Sequence, residues 1–352
     1  MKVLFDHQIF NFVYGGASKY FAMLLANMPQ GSWQTTCLLP VNEYARSLHL
    51  FKTYPYVFRG QMRIVDYINR PYTRWRLSRG HYDVFHQTNF GTYCLKELKD
   101  KPMVTTYHDA NYSTFNPQPE LVELQRLSLQ RADAVVAVSR NTKKDLLELF
   151  NIDERKVHVV YHGIEQPDLS RLGQRLFDFP YLLYVGQRAP YKNFTRFVRA
   201  FAAIAHRVPD VKVVCTFFDF SSSERQLMQS LGLNDRFVHI SADERQMLQL
   251  YHDAVAFVYP SLYEGFGMPI LEAWCCQCPV VLSRASCFPE IAAEAGLYFD
   301  PNSEEEMSVA LLRIIDDSTL HDELIRRGTE RVKLFSWKQC ADRHVDIYKS
   351  LI

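Results

Sequence analysis

The sequence predicts an α/β protein made of two Rossmann-like, doubly wound domains that face a cleft. Three observations predict it: short apolar runs alternate with longer amphipathic segments, the alternation occurs twice, and a polar stretch at 164–180 separates the two rounds. Buried strands that alternate with helices are typical of parallel sheets covered on both faces. A chain of 352 residues also exceeds the size at which a single hydrophobic core stops growing.

The elements follow one another in a regular order. In the first half, apolar runs predict strands at 2–5, 35–39, 84–86, 103–107, 134–138 and 157–161. In the second half they predict strands at 181–185, 211–217, 236–240, 254–259, 279–283 and 297–299. Helix-period segments predict helices at 118–131, 141–150, 193–207, 243–252 and 303–316. We therefore expect a first domain at 1–165, a linker at 166–178, a second domain at 179–335, and a C-terminal helix at 336–352 that packs back on the first domain.

Composition excludes several classes of protein. Hydrophobic residues make up 47% and charged residues 22%, the balance of a globular chain rather than a disordered one. No run of 18 apolar residues occurs, and Asp6 interrupts the apolar N-terminus, so we expect a cytoplasmic protein without a signal peptide or a membrane span. The eight cysteines are scattered among apolar neighbours, which indicates reduced, buried thiols. Cys275, Cys276 and Cys278 lack a second pair at zinc-like spacing, so we expect no metal site.

Two cations occupy a strand-to-helix loop in the second domain. The segment VGQRAPYKN places Arg188 and Lys192 between the strand at 181–185 and the helix that begins near Asn193. Free backbone N–H groups at such a place favour an anion. Arginine as a fork and lysine as a point charge suit a diphosphate. Two solvated loop charges remain the alternative at this point.

The next loop carries two glutamates in PSLYEGFGMPILEAW. Gly265 and Gly267 let the backbone approach a ligand closely, and Pro269 fits the first turn of a helix. Glu264 then lies in the loop, while Glu272 is expected to be buried in a mostly apolar helix. Buried carboxylates need partners, and sugar and ribose hydroxyls are suitable donors. A structural ion pair is the alternative for Glu272.

The first domain offers weaker signals. Gly15 and Gly16 precede a helix in YGGASKYF, where they favour a phosphate-facing loop, although the GxGxxG spacing of a dinucleotide site is missing. His108 directly follows the strand at 103–107, and His86 ends the run at 84–86. A structural histidine is the alternative for both.

A basic and aromatic segment, RPYTRWRLSRG, lies at 70–80. Its composition suits an anionic bilayer surface or a phosphorylated acceptor. It also suits single-stranded nucleic acid, but no nucleic-acid motif accompanies it, so we expect no such partner. An ordinary surface helix is the alternative. The arginines concerned are Arg70, Arg74, Arg76 and Arg79.

Taken together, these features resemble glycosyltransferase family 4, a group of retaining enzymes with the GT-B fold, over nearly the whole chain. The resemblance rests on the E-x7-E spacing of Glu264 and Glu272, on VGQRAPYKN and on the GG loop. Four further segments add to it: YHDA at 107–110, VVAVSRNTKKDL at 135–146, VVYHGI at 159–164 and CFPEIAAEAGLYFDP at 287–301. The chain departs from the family at Gln277, where a glycine is common.

The resemblance implies a role for each matching position. Arg188 and Lys192 would bind the donor diphosphate and stabilise its developing charge. Glu272 would hold the ribose hydroxyls, Glu264 would lie near the hydroxyls of the transferred sugar, and His108 would contact that sugar. The implied donor-binding loop positions are Gly15, Gly16, Gly265, Phe266, Gly267 and Met268.

The resemblance also implies a reaction. It is transfer, with retention, of a mannose- or glucose-type hexose from a UDP- or GDP-sugar to a saccharide or lipid-linked acceptor, in cell-surface polysaccharide synthesis. No DxD-like acidic cluster suited to Mg²⁺ is present, so we expect no cofactor. A nucleotide-sugar 2-epimerase and a non-catalytic sugar-binding module are the alternatives. The E-x7-E spacing argues against the first, and the presence of Arg188, Lys192 and His108 argues against the second.

Overall fold

The computed structural model describes residues 1–52, 58, 60–115 and 117–352. The chain forms two compact units. The first unit comprises Met1–Gly163 together with Phe335–Ile352, and the second comprises Ile164–Leu334. The C-terminal segment therefore belongs with the first unit.

Each unit contains one parallel sheet, and in the described residues each sheet has six strands. The first sheet consists of β1 (Val3–Phe5), β2 (Trp33–Thr35), β3 (Val84–Gln87), β4 (Met103–Tyr107), β5 (Ala134–Ala137) and β6 (Val157–Val159). The second consists of β7 (Tyr181–Tyr184), β8 (Lys212–Cys215), β9 (Phe237–His239), β10 (Ala256–Tyr259), β11 (Val280–Ser283) and β12 (Leu297–Phe299). The prediction of two doubly wound α/β domains is confirmed.

Helices connect the strands. Those of the first unit are α1 (Gly16–Asn27), α2 (Glu43–Ser47), α3 (Gln61–Arg79), α4 (Asn111–Thr114), α5 (Pro119–Arg131) and α6 (Arg140–Phe150). Those of the second are α7 (Phe194–Ile204), α8 (Ser222–Ser230), α9 (Glu244–Asp253), α10 (Met268–Cys275), α11 (Phe288–Ala292), α12 (Glu304–Asp316) and α13 (Ser318–Arg331). The last helix, α14 (Trp337–Lys349), returns to the first unit. Each of the five helices predicted at 118–316 begins within one residue of its predicted start.

The strand order creates one switch point in each sheet. The second sheet runs β12-β11-β10-β7-β8-β9, so the chain leaves β7 towards one side and returns to its other side with β10. The first sheet runs β2-β1-β3-β4-β5-β6, which places the switch between β1 and β3. Ligands of open α/β sheets bind beyond the carboxyl ends of the strands at such a point. We therefore expect ligands to bind at the loops after β7, β10, β1 and β3.

One predicted strand is wrong. The apolar run at 35–39 predicts a strand, but β2 ends at Thr35 and only the Thr36 N–H still reaches the Phe5 carbonyl, at 2.9 Å. The next two amides bond to side chains instead: the Cys37 N–H donates to Thr35 Oγ1 at 3.2 Å, and the Leu38 N–H donates to Asn69 Oδ1 at 2.8 Å. Side-chain oxygens thus replace the carbonyls of a neighbouring strand as acceptors, and an apolar sequence pattern does not reveal this competition.

Helix α10 ends in a Schellman motif. The Cys278 N–H donates to the Ala273 carbonyl at 2.9 Å, and the Gln277 N–H donates to the Trp274 carbonyl at 3.0 Å. Gln277 adopts a left-handed conformation with φ of 59°. A residue with a Cβ pays about 1 kcal/mol there, which explains why glycine is common at this position. The departure noted in the sequence is therefore a local backbone cost at the end of the helix that carries Glu272.

A directed chain of hydrogen bonds ties α14 to the first sheet. His344 Nδ1 lies 2.7 Å from the Cys340 carbonyl oxygen, which only accepts, so Nδ1 carries the proton. His344 Nε2 then accepts from the Tyr20 hydroxyl at 2.8 Å. His86 continues the buried cluster, with Nδ1 2.6 Å from the Tyr348 hydroxyl. Burial lowers the pKa of His344 to about 4 and holds the pKa of His86 well below its ordinary value. Both imidazoles therefore stay neutral in the folded protein.

We expect the free energy of unfolding to fall as the pH is lowered from 6.5 towards 5. The unfolded chain protonates His344 near pH 6.5, whereas the folded chain resists protonation until about pH 4. The unfolded state therefore binds more protons, and His344 alone removes about 1.4 kcal/mol per pH unit in this window. Urea unfolding at pH 7, 6 and 5 measures the slope. His344→Phe should reduce the slope by up to about 1.4 kcal/mol per pH unit, leaving the contributions of buried His86 and His108. The exposed His252→Gln should leave the slope unchanged, and an unchanged slope in His344→Phe contradicts the assignment.

Candidate functional site

An ion pair lies at the switch point of the second sheet. Lys192, in the loop after β7, donates from Nζ to Glu264 Oε1 at 2.6 Å, and Glu264 is in the loop after β10. The side chains are only 15% and 14% exposed. Lys192 Nζ also lies 3.4 Å from the Tyr259 hydroxyl and 5.3 Å from the centre of that ring. The structure thus brings together two of the residues that the sequence singled out.

Tyr259, the last residue of β10, was missed by the sequence analysis. Burial raises its pKa well above 10, and the negative charge of Glu264 raises it further. The phenol therefore stays protonated and forms one wall of the ion-pair site. Its position at a strand's carboxyl end, five residues before Glu264, was the available signal.

Glycine is required where α10 begins. Gly267 has φ of 93°, and a Cβ there would lie 3.1 Å from both Ile270 Cδ1 and Phe288 Cε1. The Glu264 N–H donates to Ser286 Oγ at 3.0 Å and fixes the other end of the loop. Pro269 occupies the first turn, as predicted. These constraints hold the loop 264–268 in place against the helix N-terminus.

Arg188 is held by its own set of contacts. Its Nε donates to Glu224 Oε1 at 2.7 Å, and one terminal nitrogen donates to the carbonyls of Phe218 at 2.6 Å and Asp219 at 2.7 Å. The guanidinium also lies 5.0 Å from the ring centre of Phe220. Only 6% of the side chain is exposed. Arg188 is therefore anchored on the α8 side of the switch point, while Lys192 is anchored on the β10 side.

Glu272 is half-buried, whereas the sequence predicted a buried side chain. Met268, Pro269 and Glu272 are all half-buried, while the intervening residues of α10 are buried. Positions three and four apart share a helix stripe, so these three form the partly open stripe of an otherwise covered helix. The Tyr251 hydroxyl donates to Glu272 Oε2 at 3.3 Å. Burial raises the pKa of Tyr251 well above its ordinary value, and the charge of Glu272 adds to this effect.

The first unit has a cavity of about 260 Å³ beyond the carboxyl ends of β1, β3 and β4. Gly15, Gly16 and His108 all line it, so the structure brings these predicted residues together. Burial lowers the pKa of His108 to about 4, and a neutral imidazole can bond a hydroxyl group as donor or acceptor. Its Nε2 has no hydrogen-bond partner among the described residues.

Three further cavity residues were not singled out from the sequence. Asn89 and Phe90 follow β3, and the buried Gln125 lies on α5. No described residue bonds to Gln125 Oε1. The segment TNF after the run at 84–86 was the available signal for the first two, whereas the helical Gln125 carried none. His86 does not line this cavity, and its Nδ1 lies 2.6 Å from the Tyr348 hydroxyl instead.

The described residues contain free thiols, but no metal-binding cluster and no membrane-spanning helix. All eight cysteines are free thiols, seven buried and Cys37 half-buried. Across the part of the chain that the structure describes, no three His, Cys, Asp or Glu residues are arranged to hold a metal ion. Among the same residues, no helix is both long and apolar enough to cross a bilayer.

Two family models match the chain, one in each half. The model described as Glycosyltransferase Family 4 matches residues 14–166, and the model described as Glycosyl transferases group 1 matches residues 174–331. The chain belongs to glycosyltransferase family 4. The resemblance drawn from the motifs is therefore confirmed, while the role of each site residue in this glycosyltransferase stays a prediction.

Curated relatives agree with this family, and a solved structure has the same fold. O-antigen chain mannosyltransferase B of Escherichia coli is 27% identical over 297 residues, which is 79% of this chain and 77% of the relative. The MMP alpha-(1->4)-mannosyltransferase of Mycolicibacterium hassiacum is 26% identical over 302 residues, 78% and 72% of the two chains. The crystal structure of Anabaena Alr3699/HepE in complex with UDP and glucose has a TM-score of 0.78 at 16% identity, covering 99% of this chain and 100% of that one. That likeness shows the fold of the glycosyltransferase.

We expect Lys192→Met to destabilise the glycosyltransferase by roughly 3 kcal/mol, because it leaves the Glu264 carboxylate poorly exposed and without its cation. The double variant Lys192→Met with Glu264→Gln should recover most of this loss, since no charge is then left unpaired. Chemical denaturation without any ligand measures both. Additive losses in the double variant would contradict the ion pair. Lys333→Ala, which breaks an exposed pair with Glu330, serves as the control and should change stability by less than about 1 kcal/mol.

Proposed function

We propose that this glycosyltransferase transfers a mannose- or glucose-type hexose, with retention, from a UDP- or GDP-sugar to a saccharide or lipid-linked saccharide. The observation that carries the proposal is the Lys192–Glu264 pair at the switch point between β7 and β10. One member is a cation suited to the donor's phosphate, and the other is an acceptor suited to sugar hydroxyls. Both already lie at the edge where α/β sheets bind ligands.

The relatives support the sugar and the pathway class. Both relatives compared above are named as mannosyltransferases, and one of them acts on an O-antigen chain. The Anabaena structure of the same fold contains UDP and glucose. These names support the proposal of a role in cell-surface polysaccharide synthesis, with a nucleotide-linked hexose as the donor.

The proposed reaction needs a stabilised leaving group. The bond from the anomeric carbon to the β-phosphate oxygen breaks, and its electron pair leaves with the nucleoside diphosphate. Lys192 and Arg188 stabilise that charge, which is the largest electrostatic contribution available here. The acceptor oxygen bonds to the anomeric carbon on the same face, and its proton passes to a departing phosphate oxygen. No step uses a metal ion.

The other residues position the substrates. Glu264 accepts from sugar hydroxyls once Lys192 shares its charge with the phosphate, and Glu272 accepts from the ribose hydroxyls. Neutral His108 bonds a sugar hydroxyl from the wall of the first unit's cavity, above the loop of Gly15 and Gly16. The N–H groups at 265–268 favour the negative end of the donor.

Donor hydrolysis tests the proposal. Wild-type enzyme should release UDP from UDP-glucose or GDP from GDP-mannose, and Lys192→Ala should reduce the rate by about 100-fold, because one cation at the leaving phosphate is lost. EDTA should leave the wild-type rate unchanged. Lys333→Ala is the matched control. Equal hydrolysis by wild type and Lys192→Ala would contradict the assignment of Lys192 to the donor site. Formation of an altered nucleotide-sugar without transfer to an acceptor would favour an epimerase.

We further propose that α3 contacts an anionic membrane surface. Val65, Asn69, Thr73 and Leu77 form its buried face. The opposite face exposes large apolar side chains, with Tyr67 80% exposed, and the set comprises Ile64, Tyr67, Ile68 and Trp75.

The arginines of α3 support this contact less than the sequence suggested. Arg70 pairs with Asp66 at 2.7 Å and Arg74 pairs with Glu97 at 2.5 Å. These two pairs leave less positive charge for the anionic surface, so the apolar stripe must add to the attraction.

Vesicle sedimentation tests the membrane contact. Ile64→Ser together with Ile68→Ser should weaken binding to vesicles of phosphatidylglycerol by about tenfold. A fully buried apolar side chain contributes roughly 1.5–3 kcal/mol, and a side chain that the membrane covers only in part contributes less. Val309→Ser, an exposed apolar position on α12, is the control and should have no effect. Equal sedimentation of all three proteins would remove α3 from the contact.

A further inference from the structure

The capping box at the start of α8 shares its glutamate with Arg188. Glu224 Oε2 accepts from the Ser221 N–H at 2.7 Å, and the Glu224 N–H donates back to Ser221 Oγ at 3.3 Å. The other carboxylate oxygen, Oε1, accepts from Arg188 Nε at 2.7 Å. The two oxygens of one side chain therefore bond two donors, on Arg188 and Ser221, that lie 33 residues apart in the chain.

A second capping box shows what the cap alone requires. At the start of α9, Gln246 Oε1 accepts from the Asp243 N–H at 3.0 Å, and the Gln246 N–H donates to Asp243 Oδ1 at 2.8 Å. One amide oxygen suffices there because only one donor must be bonded. A glutamine at 224 would offer one oxygen to two donors and turn an N–H group towards the other. The carboxylate at 224 is thus required by Arg188 and not by the helix.

The surrounding loop is shaped around the same guanidinium. Phe217, two residues after the end of β8, adopts φ of 82°, a costly conformation for a residue with a Cβ. The turn aims the carbonyls of Phe218 and Asp219 at one terminal nitrogen of Arg188. The other terminal nitrogen has a weaker contact, 3.5 Å to the Thr216 carbonyl. This terminal nitrogen can therefore donate a further hydrogen bond to an oxyanion.

We propose that Glu224 is a positioning residue, which fixes the rotation of the Arg188 guanidinium so that its less engaged edge meets the donor diphosphate. The inference rests on the proposed function, since it assigns Arg188 to the diphosphate. Adjacent parallel strands make the arrangement: β7 and β8 pair from Tyr181↔Lys212 to Tyr184↔Cys215, so the loop of Arg188 and the loop before α8 leave the sheet side by side. Without Glu224, Arg188 would keep its charge and its bonds to the Phe218 and Asp219 carbonyls but would lose the bond at Nε that fixes the rotation.

A double-mutant cycle tests this coupling. Donor hydrolysis is measured with UDP-glucose and GDP-mannose for wild type, Glu224→Gln, Arg188→Ala and the double variant. Arg188→Ala should lower kcat/KM by about 100-fold and Glu224→Gln by about 10-fold, mainly through kcat, because oriented cations act on the developing charge. The double variant should match Arg188→Ala to within about threefold, since Glu224 acts only through Arg188. Glu224→Asp, which keeps two acceptor oxygens, should retain more activity than Glu224→Gln and also serves if the latter does not fold.

Gln246→Ala is the matched control, because it removes the third residue of the other capping box. It should lower the melting temperature and leave kcat/KM unchanged. Losses that multiply in the double variant, or wild-type activity in Glu224→Gln beside an impaired Arg188→Ala, would overturn the positioning role and leave the proposed function standing. Wild-type enzyme that releases no nucleotide from either donor would overturn both.

Discussion

In a parallel sheet, the backbone hydrogen bonds fix the direction of every strand, so all loops that follow strands emerge at one edge. This constraint gathers residues that are far apart in the chain. Lys192 follows β7 and Glu264 follows β10, its neighbour, and the same edge receives Arg188 and the loop before α8. In the first sheet, the loops after β1, β3 and β4 enclose the cavity that contains His108. The strand order therefore determines which loops of each unit lie side by side.

The charges at the edge of the second sheet are already balanced. Arg188 is bonded to Glu224 and Lys192 to Glu264, and in both pairs the side chains are poorly exposed. Removing a charge from water is costly unless a partner offsets the loss, which explains why each cation has a carboxylate. In the proposed function, a diphosphate would compete with Glu264 for Lys192, while Glu224 would keep its bond to Arg188 Nε. Binding would then depend on the difference between the two sets of interactions at Lys192, and a small anion that leaves Glu264 without a partner would bind less well.

Much of this arrangement could be predicted from the sequence, and the failures have physical causes. Strand ends and helix starts revealed Lys192, Glu264 and His108, because polar residues after apolar runs mark the carboxyl edge of a parallel sheet. Glu224 was not predicted, because its partner Arg188 lies 36 residues away and their contact depends on the pairing of β7 with β8. The end of β2 escaped because side-chain oxygens replace its ladder. Burial of Glu272 was overestimated because apolar neighbours do not tell which stripe of α10 is covered.

The return of α14 to the first unit has a consequence for biosynthesis. Gly163 must be glycine because a Cβ would lie 2.0 Å from the Trp337 backbone nitrogen, so the last segment packs against the end of the first unit's own chain. At translation rates of about 5–20 residues per second, the ribosome spends roughly 10–30 s on the second unit before that segment exists. Throughout this interval the surface that receives α14, including Tyr20 and His86, is uncovered. The unit that is made first is therefore the one completed last.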